Sequence, residues 1–252
     1  MAQNLRVQHG GEGQPTLLLL HGLGATSDVW NGWHSVLAER WPGQWIAPDL
    51  PGHGGSNSLR RYSFGSIASA VADRLEPDFP IVVLGHSLGG VIGLTLASGW
   101  FGIRVDAAIA LGVKVTWSND ELARAHSIAQ RPITWYDSRD EAAARYLRVS
   151  GLGDMQPIPD DAVTAGLIET NGQWRLAQDP RTFAVGAPEI PRLLAAAHGS
   201  LNLARGQHDH MVSQETLSQL HPSATTLPGL SHNAHVQDPA AVARLLEAPL
   251  TT

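Results

Sequence analysis

Short apolar runs recur along the chain, and amphipathic segments lie between them. The runs are Leu17-Leu18-Leu19-Leu20, Trp45-Ile46-Ala47-Pro48, Ile81-Val82-Val83-Leu84, Ala107-Ala108-Ile109-Ala110-Leu111, Ser200-Leu201-Asn202-Leu203-Ala204 and Ala224-Thr225-Thr226-Leu227. Unbroken apolar runs fit strands buried on both faces, as a parallel sheet requires. Helices are predicted over residues 33–40, 66–75, 88–98, 214–220 and 239–247. Leu5 to His9 reads as an antiparallel edge strand. Alternating strand and helix predicts an α/β doubly wound fold, with a mostly parallel central sheet flanked by helices.

The alternation breaks between residues 113 and 191, where no convincing strand is found. Asn119-Asp120-Glu121-Leu122 is a cap-like start for a helix ending near Ala129. Asp137-Ser138-Arg139-Asp140-Glu141 opens another, running through Arg148. A third is expected from Ile158-Pro159-Asp160-Asp161 to Asn171-Gly172, with the glycine as its stop. A simple crossover needs little more than a dozen residues, so this stretch is too long to be a connection alone. The expected organisation is a core built from 1–112 and 192–252, with 113–191 inserted as a helical cap.

Composition narrows the functional classes. The 252 residues carry a net charge of −6, so no basic field awaits nucleic acid or an anionic membrane. There is no cysteine, which removes disulfides, thiolate catalysis and sulfur-based metal sites. The N-terminal residues show no apolar leader core, and no run approaches membrane-spanning length. The expectation is a soluble cytoplasmic protein.

Candidate chemistry centres on Gly85-His86-Ser87-Leu88-Gly89, which follows one strand and opens a helix. This is G-x-S-x-G, the nucleophile elbow. A serine at such a turn is strained, its hydroxyl lifted clear of the sheet, and bulk at the flanking glycines would strike the adjacent strand and helix. A nucleophilic serine needs a base, an acid that orients the base, and donors for the oxyanion. Ser231-His232-Asn233-Ala234-His235 follows the last strand; His232 is the preferred base and His235 its rival, the alternative for His235 being packing at the start of the final helix. Asp209 follows the penultimate strand and is the candidate acid, with Asp120 the fallback. The backbone N–H groups of Leu88, at a helix start, and Leu23, in His21-Gly22-Leu23-Gly24, are the candidate oxyanion donors.

With these segments the chain resembles the α/β-hydrolase family, in its esterase-like branch with a small helical cap. The likeness is carried by His21 to Gly24, Asp49-Leu50-Pro51-Gly52-His53-Gly54-Gly55-Ser56, Gly85 to Gly90, Gly206 to Asp209 and Ser231-His232-Asn233, and so spans nearly all the chain except the cap. The resemblance implies that His232 is the base and that His53 is structural. Ser231 departs from the glycine that relatives often carry there, a small-for-small change. Dehalogenases and epoxide hydrolases of this fold carry aspartate at the elbow, so Ser87 argues against that chemistry.

His208-x-His210 and His232-x-x-His235 have ligand-like spacing but no carboxylate-bearing signature, and no G-x-G-x-x-G dinucleotide fingerprint follows a strand. The reading therefore needs neither metal nor cofactor. Trp117, Trp135, Tyr136 and Trp174 are candidates either for an apolar substrate pocket or for fastening the cap to the core. The expected function is serine hydrolysis of a small, apolar ester or related acyl compound. Carbon–carbon hydrolysis, lactone or thioester cleavage and acyl transfer use the same residues, and a non-catalytic binding protein on this scaffold is the alternative of a different class.

Overall fold

A computed structural model describes residues 4–153, 155 and 158–247. Its main sheet contains β1 (Val7–Gly10), β2 (Thr16–Leu20), β3 (Trp45–Pro48), β4 (Ile81–His86), β5 (Val105–Leu111), β8 (Ser200–Gly206) and β9 (Thr225–Leu227). The strand order is β1-β3-β2-β4-β5-β8-β9. Only β1 runs antiparallel to its neighbour, so the expected edge strand forms at Val7–Gly10. A second, two-stranded sheet pairs β6 (Leu167–Thr170) with β7 (Gln173–Leu176).

The unbroken apolar runs are explained by the two faces of the main sheet. Leu17, Leu19, Val82, Leu84, Ala107 and Ile109 enter one buried cluster, with Trp30, Trp33 and Leu37. Leu18, Leu20, Ile81, Val83, Val105 and Ala108 enter the other, with Ile67, Val71 and Ile92. Successive side chains on a strand point to opposite faces. A polar residue at any of these positions would therefore be buried on one side or the other.

The flanking helices are α1 (His34–Arg40), α2 (Phe64–Ala72), α3 (Leu88–Leu96), α4 (Asn119–Ala129), α5 (Arg139–Val149), α6 (Asp160–Ala165), α7 (Ile190–Ala196), α8 (Gln214–Leu220), α9 (Ala234–Gln237) and α10 (Pro239–Ala243). α4 and α5 start where the sequence predicts them, although the cap of α4 is Ser118, one residue before the expected Asn119 start. Ser118 and Ser138 accept the backbone N–H groups of Glu121 and Glu141. The third expected helix of this stretch is corrected. It stops at Ala165, and the β6–β7 hairpin follows. Asn171 and Gly172, read as a helix end, form its turn, with φ of 53° and 82°. Two consecutive positive φ angles are what a two-residue hairpin loop demands.

The strand order sets the position of the site. The chain passes from β2 outward to β3, then returns to β4 and continues outward the other way through β5 and β8. β2 and β4 thus lie side by side at the point where the winding reverses. In open α/β sheets ligands bind beyond the carboxyl ends of such a pair. Those ends carry His21-Gly22-Leu23 and Ser87.

Candidate active site

Ser87 caps α3 with φ 50° and ψ −112°, a conformation that a non-glycine residue adopts only under strain. Its backbone N–H is held by the Leu111 carbonyl at 2.8 Å. The neighbouring glycines are required by contact. A Cβ on Gly85 would stand 2.2 Å from the Gly89 carbonyl oxygen, and one on Gly89 would stand 2.2 Å from the Leu20 carbonyl oxygen. The turn therefore closes only without side chains there. Leu88 is the first residue of α3, so its N–H has no acceptor within the helix.

The loops after β8 and β9 meet side by side. Gln207 N–H donates to the Leu227 carbonyl at 2.9 Å, and His208 N–H to the Leu230 carbonyl at 2.8 Å. This brings His232 Nδ1 to 3.0 Å from Asp209 Oδ2. The Asp209 side chain is fully buried, and its other oxygen accepts the Met211 N–H at 2.8 Å. Buried Arg205 braces the same loop, donating to the carbonyls of Val212, Gln207 and Asp209. Both partners pack against Gly112, where a Cβ would lie 3.2 Å from each. Asp120, the fallback acid, is exposed in the first turn of α4.

Ser87, His232, Leu23 and Leu88 line one cavity of about 270 Å³. A Cβ added to Gly22 would lie 3.4 Å from Ser87 Cβ, so the loop after β2 passes directly over the serine. Among the described residues the Ser87 hydroxyl makes no hydrogen bond. Catalytic contacts in unliganded sites are often long and tighten when substrate arrives.

Five histidines surround this centre, and four of them are buried scaffolding. His21 donates from Nδ1 to the Gly22 carbonyl at 2.8 Å and accepts the Leu50 N–H on Nε2 at 2.8 Å. Ala25 N–H also donates to that carbonyl, at 3.2 Å. A trans peptide sets its N–H opposite its carbonyl, so the Leu23 N–H is turned away from these donors. His53 accepts the Gly24 N–H at 3.1 Å, which ties the same loop to the segment after β3. His86 donates from Nε2 to the His232 carbonyl at 3.0 Å, and its ring stacks on His235 with centroids 4.2 Å apart. His235 is buried against Trp30; of the five, His232 and the edge of buried His86 line the cavity, and His232 is the one hydrogen-bonded to a carboxylate.

Burial sets the ionisation of the four. It pushes His53 and His235 down to about 3, with repulsion between imidazoles adding to it. It also lowers His21, and it takes His86 well below the ordinary histidine range. Burial alone would raise Asp49, but His21 and the N–H groups of Ser27 and Gly55 outweigh it and hold the carboxylate low. Arg6 spans Asp28 and Asp49 beneath the loop after β2.

Of the four aromatic candidates only Trp117 lines the cavity. Tyr136 and Trp174 exchange backbone hydrogen bonds and pack onto the core. Trp135 lies beside them, half exposed, under the guanidinium of Arg175. The rest of the cavity's apolar wall is Phe64, Val91, Val149, Val185, Pro188 and Met211. These six were not singled out from the sequence, where nothing distinguishes a cavity wall from a core position. Lys114 and Arg148 also face the cavity.

The sequence pattern of the alpha/beta hydrolase family matches residues 17–245. The chain belongs to this family. It is 26% identical over 265 residues to the 2-succinyl-6-hydroxy-2,4-cyclohexadiene-1-carboxylate synthase of Enterobacter sp. (strain 638), across 98% of this chain and 95% of that one. An uncharacterised protein of Mycobacterium tuberculosis (strain ATCC 25618 / H37Rv) is 43% identical over 86 residues, and the match spans 33% of this chain and only a quarter of that protein's length. Among solved structures, E-2-(acetamidomethylene)succinate hydrolase superposes with a TM-score of 0.79 at 20% identity, covering 99% of this chain and 96% of the other. At that identity the likeness is one of fold. No helix among the described residues is long and apolar enough to cross a membrane.

Proposed function

We propose that this chain is a serine hydrolase that cleaves a small ester or related acyl compound through an acyl-enzyme on Ser87. The observation that carries the reading is the 3.0 Å contact between His232 Nδ1 and buried Asp209, on the wall of the cavity that also holds the strained Ser87. Asp209 keeps the Nδ1 proton of His232, so Nε2 is the basic nitrogen. His232 takes the hydroxyl proton as Ser87 Oγ attacks the carbonyl carbon. The tetrahedral oxyanion is received by the Leu23 and Leu88 N–H groups. Each such donor stabilises the transition state by about 3–4 kcal/mol. His232 then gives its proton to the leaving oxygen, and the bond to the alcohol breaks. Water repeats the sequence on the acyl-enzyme, releasing the acid and free Ser87.

The segment from 113 to 191 acts as a cap in this reading. Trp117, Val149 and Val185 from it roof the cavity, and the apolar wall suits an apolar acyl or alcohol body. The scheme uses no metal or cofactor. A panel of p-nitrophenyl esters of graded acyl length is the test. The wild-type protein is expected to turn over the better of them, and Ser87→Ala to lose at least about 10⁴-fold in kcat. Full turnover by the Ser87→Ala protein overturns the assignment.

Relatives matched over nearly their whole length are named as synthases rather than esterases, and this favours a second reading, in which the same three residues act on a bond other than a simple ester. Such an enzyme would ignore every simple ester in the panel yet still be labelled at Ser87 by an active-site phosphonate.

A further inference from the structure

The charges around the cavity are one-sided. Eighteen described residues line it, and the charged ones among them are Lys114 and Arg148, with no described aspartate or glutamate. The whole chain carries −6, so this local excess of positive charge runs against the balance of the molecule. A cavity built only for neutral apolar esters gains nothing from two cations beside the reacting serine, since each must stay solvated or paired. Lys114 follows β5 and is largely shielded, with Glu121 of α4 as its counter-ion and its ammonium 4.7 Å from the Trp117 ring centre. Arg148 lies in the last turn of α5, exposed to solvent, and among the described residues its guanidinium has no hydrogen-bond, ion-pair or ring partner. Solvent lets it remain charged until an anion replaces the water.

A second cavity, of about 540 Å³, adjoins the first and shares Leu23, Lys114, Trp117, Val185, Gly186 and Met211 with it. Glu121 faces this outer space and Arg148 does not. Arg148 therefore stands on the inner wall with Ser87, whereas the outer space is lined by Arg124 and by Glu121, which is paired with Lys114.

Resting on the hydrolase reading, we propose that the substrate carries an anionic group, a carboxylate or phosphate, on its acyl or leaving portion, and that Arg148 receives it with Lys114 as a second positive charge. Arg148 is a specificity residue in this account, since the guanidinium fork pairs with both oxyanions in two-point geometry.

The test separates binding from turnover by using the Ser87→Ala protein, which retains the cavity. Calorimetry compares monomethyl glutarate with dimethyl glutarate, and propyl phosphate with propanol. At least one anion is expected to bind about tenfold or more tighter than its neutral partner, the usual scale for a charge-assisted hydrogen bond. Which pair shows the difference identifies carboxylate or phosphate. Adding Arg148→Gln is expected to bring the ratio below about threefold while the thermal midpoint stays that of the parent, which a purely helix-capping role for Arg148 would not do. Equal binding of both members of both pairs overturns the proposal, as does an anion preference that survives Arg148→Gln. Because no turnover is measured, a failure here is distinct from a failure of Ser87 to act as nucleophile.

Discussion

His21 does two jobs with one ring, tying the Gly22–Leu23 peptide to the Asp49–Leu50 peptide. Its Nδ1 proton holds the Gly22 carbonyl, and its Nε2 holds the Leu50 N–H. His21→Ala leaves both backbone groups without these partners inside the protein. We expect a loss of about 1–3 kcal/mol of stability by urea denaturation, and a kcat reduced by roughly tenfold or more with KM little changed, because the Leu23 N–H loses its fixed direction. A kcat unchanged in a folded His21→Ala protein would remove Leu23 from the oxyanion site. Asp209→Asn is expected to cost about 10³–10⁴-fold in kcat, since the amide no longer selects the tautomer of His232. Steady-state kinetics of the purified variant measure this directly. Ser87 and Asp209 were legible as candidates because each follows a recognisable strand in a fixed order; His232 was chosen over His235 partly by the family resemblance, since both follow the last strand. Trp135, Tyr136, Trp174, Lys114 and Arg148 were not separable in the same way. Which of them faces a cavity depends on how the segment carrying it packs, and side-chain direction there is set by tertiary contacts that no local pattern encodes.

Residues 17–20 of β2, 81–84 of β4 and 107–111 of β5 were readable as elements because double-sided burial leaves no polar position there to confuse the pattern. The β6–β7 hairpin was not. Leu167-Ile168-Glu169-Thr170 is short, only Leu167 of it is buried, and it follows directly on a true helix, so the helical reading ran on to Asn171-Gly172. The same dipeptide serves as a helix stop or as a hairpin turn, and here strand pairing decides. Gly172→Val should destabilise the protein by about 1 kcal/mol, from the positive φ alone; an unchanged urea midpoint would contradict the turn assignment. The elbow is far less tolerant. In Gly89→Ala the new methyl meets rigid backbone rather than a movable side chain. Overpacking of this kind costs about 3 kcal/mol or more, so the variant is expected to lose soluble, active protein, whereas wild-type solubility and activity in Gly89→Ala would disprove the close approach of α3 to β2.

At the scale of the whole molecule, four buried neutral histidines make folding sensitive to acid. His21, His53, His86 and His235 are all lowered in the folded protein. The unfolded chain binds their protons near the ordinary histidine value, about 6.5. Below that pH the unfolded state holds more protons than the folded one, so stability falls as pH falls. It is fully present above about 6.5 and is lost progressively toward the folded values, about 3 for His53 and His235. Each histidine contributes up to about 1.4 kcal/mol per pH unit across that window. Urea midpoints measured between pH 7 and 5 are expected to fall with a slope steeper than one proton provides; a flat profile would mean that the four rings are not buried as described. The account as a whole depends on Ser87 being an activated nucleophile served by His232. Treatment with a fluorophosphonate, followed by intact-protein mass spectrometry and peptide mapping, tests this most directly. The prediction is one adduct, on the peptide containing Ser87, absent from Ser87→Ala and formed at least about 100-fold more slowly in His232→Ala. An unlabelled wild-type protein, or an adduct on another residue, would contradict it.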